Sequence, residues 1–398
     1  MTEAMTTQDR PLTLNGDRFT AVYHLVGAPT AAQARQRARD ICLEQTVEFP
    51  DELIPSAAIR EQIVGQVAAL EPRGADRWEA VIRYPVEVAG RELTQLVNCL
   101  FGNISIKPGI RLMGLDLGES LGRLYRGPRF GQAGLRDLLG VRDRPLLCTA
   151  LKPMGLNPSE LAGLAYRLAR GGIDLIKDDH GLTDQGFCPF DQRVARCAEA
   201  VARANRETGG HALYLPNVTA PAAEIARRAR HAQGCGAGGL LFCPGLAGLD
   251  AMRALADEDT LALPILSHPA FQGSFTLHPD AGLGHGVLYG QLNRLAGADA
   301  TIFPSYGGRF AFTPRECLDI VDAATRPMGA WRAIFPVPAG GMGLTRVPEL
   351  IGFYGRDCCL LIGGDLHAQG QDLTATCRGF LEAVKAAASA AGCECSDH

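Results

Sequence analysis

Hydrophobic and polar positions follow two different patterns along this chain, and the change falls near residue 140. Residues 18–26 alternate apolar and polar side chains with a period of two, which predicts a strand with one buried face. Residues 30–46, rich in Ala, Arg and Glu, predict a helix; residues 78–88 predict a strand and residues 92–101 a second helix. This mixture over residues 18–139 predicts an α+β, ferredoxin-like domain with helices on one face of a sheet. Residues 1–17 carry no such pattern and are expected to be disordered, as is a tail from 386 to 398.

Beyond residue 140 the alternation gives way to short, nearly continuous apolar runs. Eight of them occur, at 145–152, 172–179, 212–218, 238–243, 263–268, 298–304, 333–338 and 358–363. Between them lie helical stretches at 158–169, 192–208, 221–234, 248–257, 284–295, 314–324 and 347–354. Apolar strands alternating with amphipathic helices predict a parallel sheet covered on both faces. Eight repeats predict closure, so residues 140–385 are read as a (β/α)8 TIM barrel of α/β class. An open doubly wound sheet would need a glycine-rich turn after its first strand, and Lys152-Pro153-Met154-Gly155 is not one.

Composition narrows the function classes. A formal net charge of −4 gives no basic field for nucleic acid, and the apolar runs are far too short to span a bilayer. The polar start of the chain has no apolar signal core, so a cytoplasmic protein is expected. The thirteen cysteines are an odd number, and Cys42, Cys99, Cys148, Cys243, Cys358 and Cys359 sit inside apolar runs. Buried reduced thiols are the expectation; Cys393 and Cys395 fall in the tail.

The chemistry of such barrels sits where the strands end. Here those ends carry Lys152; Lys177, Asp178, Asp179 and His180; Asn217; His268; residues 305–309; Gly340 and Gly341; and Gly363 and Gly364. Strand alternation aims Lys177 and Asp179 the same way. A lysine beside a carboxylate in a barrel mouth is a Schiff-base former, a general base, a modified metal ligand or a structural ion pair, and Asp179 with His180 suits a divalent ion. Lys152 among other cations is a candidate base or a snorkelling surface lysine. His268 is a candidate proton relay or substrate donor, and Arg309 tips a loop able to close on an anion. The glycine pairs end the last two strands, the usual phosphate position of these barrels, although most Gly-Gly pairs are ordinary turns.

Taken in order, Glu44-Gln45-Thr46, Phe101-Gly102-Asn103, Ala150-Leu151-Lys152-Pro153, the segment 172–179, His268, the 306–309 loop, Pro338-Ala339-Gly340-Gly341 and Gly363-Gly364 resemble the RuBisCO large-subunit superfamily. Within it the chain resembles the non-carboxylating RuBisCO-like (form IV) proteins, over nearly its whole length. The resemblance implies an N-terminal α+β domain before a β/α barrel. It implies Lys177 as a CO2-derived carbamate that holds Mg2+ with Asp179 and the residue at His180, and Lys152 as the base beside a substrate ketone. It also implies homodimers in which Glu44 and Asn103 reach the neighbouring barrel, and a phosphate held by Gly340, Gly341, Gly363 and Gly364.

Three departures change what is expected. His180 stands where the carboxylases have glutamate, Met154 where they have a second lysine, and Pro269 where an arginine grips a second phosphate. These losses imply one phosphate on the substrate and no CO2 fixation. The resemblance then leaves three reactions that share an enolisation: transcarboxylation and hydrolysis of 3-oxo-isoapionate 4-phosphate, isomerisation of 5-methylthioribulose 1-phosphate, and enolisation of a diketo-methylthiopentyl phosphate. Ile334, where the isomerases carry cysteine before Leu-Pro-Val-Pro, tilts the expectation toward the first. A non-catalytic sugar-phosphate sensor and a Schiff-base aldolase using Lys152 or Lys177 are the readings from other classes.

Overall fold

The computed structural model describes residues 12–310, 312–368 and 372–394. They form two compact units: residues up to Tyr125 with Gln272–Gln291 and Met328–Ala330, and the remainder. The strands are β1 (Arg18–Val26), β2 (Gln66–Pro72), β3 (Arg77–Pro85), β4 (Ile110–Asp116), β5 (Leu146–Leu151), β6 (Leu175–Asp178), β7 (Leu213–Leu215), β8 (Leu240–Phe242), β9 (Ile265–Ser267), β10 (Gly282–Leu283), β11 (Ala300–Pro304), β12 (Phe335–Ala339) and β13 (Cys359–Ile362).

In the first unit the sheet order is β10-β4-β1-β3-β2. β1 runs antiparallel to β3 and β4, and its side chains alternate strictly between buried and half-buried. The first helix, Ala31–Glu44, starts in a capping box: Thr30 accepts from the Gln33 N–H while the Gln33 side chain reaches back to Thr30. At its other end Gln45 is buried and tied to the next segment. It donates to the carbonyls of Asn98 and Cys99 (both 2.8 Å) and accepts from the N–H of Ile104 (3.3 Å).

In the second unit eight parallel strands run in the order β7-β6-β5-β13-β12-β11-β9-β8. The ring closes between β7 and β8 through the parallel bridge of Asn217 with Leu241. All eight apolar runs of the sequence are strands here, and their inward side chains, from Leu146 to Leu361, form one buried cluster. Two barrel helices, Pro158–Arg170 and Pro314–Thr325, start with the same device as the first helix, with proline at the first turn and Glu160 or Glu316 closing the box.

Several expectations need correction. The first unit ends at Tyr125 rather than residue 139, because helix Gly131–Leu139 places Leu135 and Leu139 in the barrel core. The helix expected at 284–295 is a wide-wound Gly286–Leu292 turn followed by Asn293–Leu295, and residues up to Gln291 belong to the first unit. There the Gln291 side chain brackets Leu115, donating to its carbonyl (2.8 Å) and accepting from its N–H (3.1 Å). Residues 386–394, expected to be disordered, continue the helix Leu373–Glu394, consistent with their alanine content. Residues 1–11 and 395–398 lie outside the described residues. Eleven cysteines between Cys42 and Cys377 are free, ten of them buried and Cys235 half-buried. No helix among the described residues is long and apolar enough to cross a membrane.

Candidate active site

The strand ends of β5, β6 and β9 meet in one cluster. Lys177, on β6, is 2% exposed, and its Nζ donates to the carbonyl of Asp178 (3.1 Å). Burial lowers the proton affinity of this amine, and the Lys152 charge adds to the effect against the pull of Asp179. Lys152, just past β5, places its Nζ 2.9 Å from Asp179 Oδ1, and His180 Nδ1 lies 3.6 Å from the same oxygen. Burial favours the neutral acid at Asp179, but His180, Lys152 and Lys177 outweigh it and hold the carboxyl well below the ordinary range. Asp179 Oδ1 is itself buried and accepts no hydrogen bond of good geometry.

His268 follows β9. Its ring stacks on His180, with centroids 4.4 Å apart and planes 14° from parallel. Its Nδ1 accepts from the N–H of Ala270 (3.1 Å), which puts the ring proton of the neutral form on Nε2. Burial, with the Lys177 and His180 charges beside it, pushes the imidazole down to about 2, so the ring stays neutral. A neutral imidazole can donate to a developing oxyanion without giving up its proton.

Asp178 faces the other way. It is fully buried, takes Arg193 Nε (3.0 Å) and the Asn217 N–H (3.0 Å) on one oxygen, and takes the Tyr214 hydroxyl (2.8 Å) on the other. Asn217 in turn donates to the carbonyls of His180 (2.9 Å) and Leu182 (3.0 Å). The loop carrying His180 is therefore fixed from behind. The sequence placed Asn217 at a strand end without a role, and it gave no role to Arg193 or Tyr214; neither lies next to Asp178 in the chain.

On the other side of the mouth, Gly341 has a φ of +68°, and a Cβ there would sit 3.0 Å from Arg346 Nη1 and 3.3 Å from the Gly307 carbonyl. Arg346 donates to the Gly341 carbonyl (2.9 Å) and pairs with Glu349 (2.8 Å), which accepts from Tyr306 (2.8 Å). Gly363 is different: a Cβ there meets nothing within 4 Å, so its glycine leaves space rather than relieving a clash. Gly340 and Gly364 leave the same open space. Arg309 is not brought to the cluster; it is exposed, with its guanidinium 4.9 Å over the ring of Phe310.

In the first unit Glu44 and Asn103 lie side by side. Asn103 Nδ2 donates to Glu44 Oε1 (3.1 Å), and Lys107, which the sequence did not single out, reaches Glu44 Oε2 (3.3 Å). Among the described residues no three His, Cys, Asp or Glu side chains gather as a ready-made metal site. The candidate ligands offer two such groups, Asp179 and His180, and a third only if Lys177 carries a carboxylate. An under-bonded buried carboxylate oxygen beside a desolvated amine fits a divalent cation held in that way.

Comparison with known proteins agrees with this architecture. Residues 131–308 match the family model of the ribulose bisphosphate carboxylase large chain, catalytic domain. The chain is 40% identical to the 5-methylthioribulose-1-phosphate isomerase of Rhodospirillum rubrum, over 94% of this chain and 98% of that one. It is 36% identical to the 2,3-diketo-5-methylthiopentyl-1-phosphate enolase of Geobacillus thermodenitrificans, over 77% of this chain and 74% of the relative. The crystal structure of a Rubisco-like protein from Rhodopseudomonas palustris superposes with a TM-score of 0.83 at 40% identity, covering 92% of this chain and 97% of that one. With its barrel, its strand-end lysines and these relatives, the chain belongs to the RuBisCO large-chain family, as one of its RuBisCO-like enzymes.

Proposed function

We infer that this enzyme binds a monophosphorylated ketose in the barrel mouth and moves a proton at the carbon beside the ketone, through an enediolate. The observation that carries the reading is the cluster itself. A desolvated lysine, an under-bonded carboxylate and a neutral imidazole share one strand-end rim. His268 Nε2 donates to the oxygen that gains charge; once its pair with Asp179 opens, the half-exposed Lys152 ammonium gives its proton to solvent, and the neutral amine takes the carbon-bound proton. Lys177 as carbamate, Asp179 and His180 would hold Mg2+, which when bound supplies a Lewis acid to polarise the substrate oxygens. Gly340, Gly341, Gly363 and Gly364 receive the phosphate, and a homodimer brings Glu44 and Asn103 of one chain to the mouth of the next.

Among substrates, a ketose with an uncharged far end fits better than a sugar acid. Met154, 50% exposed, packs its Cε over Gly181 beside the histidine stack, and Pro269 and the 69%-exposed Phe271 follow His268. The residue that tilted the sequence toward 3-oxo-isoapionate 4-phosphate does not reach the mouth. Ile334 is fully buried where β12 begins, at the opposite end of that strand from Ala339. The isomerase of R. rubrum, at 40% identity, supports the same choice.

The test is deuterium exchange. The protein is incubated in deuterated buffer with Mg2+ and CO2 and, in turn, 5-methylthioribulose 1-phosphate, the diketo-methylthiopentyl phosphate and 3-oxo-isoapionate 4-phosphate. Label entering the carbon next to the ketone of the first, and its loss in Lys152→Ala, is the expected result. Full exchange in Lys152→Ala removes the proposed base. Binding without exchange of any of the three identifies a sensor instead.

A further inference from the structure

The first unit carries a second candidate site that uses none of the barrel-rim residues. A groove of about 640 Å3 runs between one face of helix Ala31–Glu44 and the start of β2, lined by Ala32, Arg35, Gln36, Arg39, Arg60 and residues 65–67. Such a volume suits a small-molecule ligand. Three of its lining residues are arginines. One carboxylate organises two of them: Asp51 takes Arg39 on Oδ2 (2.7 Å) and Arg60 on Oδ1 (2.6 Å). Arg35 makes no ion pair among the described residues. Three guanidinium groups stand against Asp51 and against Asp40, which accepts from the Gln36 side chain (2.9 Å), so one positive charge remains.

Beside the groove the chain enters β2 pressed against the core: a Cβ at Gly65 would sit 2.9 Å from the buried Tyr84 ring and 3.2 Å from Cys42 Cα. Just beyond, β2 shifts register against β3 between Val67 and Ala69, and β2 is the edge of its sheet. Guanidinium groups held in fixed orientation match the geometry of phosphate oxygens. We propose that this arginine groove is an anion site for a phosphate-bearing small molecule, separate from the phosphate grip of the barrel.

The test counts phosphate. Equilibrium dialysis of labelled inorganic phosphate against the full chain is run on the wild type, Arg35→Glu, Arg60→Gln, Gly363→Val and, as a control for net charge, Arg315→Glu. The proposal expects Arg35→Glu and Arg60→Gln to weaken one bound phosphate by at least about tenfold, as loss of a charge-assisted contact does. Gly363→Val should keep that phosphate. Melting temperature of Arg35→Glu should stay unchanged, because its side chain holds nothing in place. If Gly363→Val also binds as much as the wild type, the barrel grip is wrong while the groove stands. Wild-type binding in Arg35→Glu, equal loss in Arg315→Glu, or no phosphate on Gly363→Val overturns the groove.

Discussion

On the outer face of β6, Asp178 commits both carboxylate oxygens to Arg193, Tyr214 and the Asn217 N–H, with no solvent in reach. One residue later, on the inner face, Asp179 has an oxygen that accepts no well-formed hydrogen bond although the Lys152 amine lies 2.9 Å from it and His180 Nδ1 3.6 Å. The two side chains are chemically identical and adjacent in the chain. Their difference lies in what the barrel puts on either side of its wall. A fully bonded carboxylate holds structure together, whereas an under-bonded one retains capacity to bind something else.

The contrast is open to attack at both residues. Asp178→Ala leaves the Arg193 charge buried without its partner and should cost about 3–5 kcal/mol of stability, read by urea unfolding. Asp179→Asn should cost less stability, about 1–3 kcal/mol through the lost attraction to Lys152 and Lys177, but lower proton exchange by about 10²–10³. Equal loss of stability in both variants would erase the distinction. His268→Gln should lower exchange by about 10²-fold through loss of one oxyanion donor. It also tests the neutral ring. A folded value of about 2, below the unfolded 6.5, means the unfolded chain binds the proton first, so this residue costs stability as pH falls below 6.5. Between pH 7 and 5 the wild type should lose at most about 2 kcal/mol more than His268→Gln. Asn217→Ala, which frees the His180 loop without touching substrate, should cost about 1–3 kcal/mol and raise KM less than it lowers kcat. The smallest effect is expected at Gly363→Ala, where the added methyl meets no atom and folding is kept, and only phosphate affinity should fall.

Much of this was legible before the fold was known. Fully buried runs such as Leu146–Leu151 announced the barrel strands, and the two-residue period set Lys177 and Asp179 on one side of β6. What stayed hidden needed partners distant in sequence. Lys152 meets Asp179 between the ends of β5 and β6, and Tyr214 meets Asp178 between β7 and β6. β2 escaped notice because an edge strand with mostly exposed side chains has no apolar face to betray it. The segment 284–295 looked like one more barrel helix, and only its ties to β4 show that its first half serves the other unit. Ile334 is a related case: position in a motif says nothing about which end of a strand a side chain occupies.

The bridge that closes the barrel has a dynamic side. β7 and β8 are three residues each, and their junction rests on main-chain bonds from Gly238 to Tyr214, Leu241 to Pro216 and Val218 to Leu241. Amide exchange should find its fastest opening among the barrel strands here, at a seam short enough to breathe. The residue at that seam is Asn217, which also holds the His180 loop. Opening of the wall at that seam would take the tether from the His180 loop, so warming should quench turnover reversibly before the barrel melts.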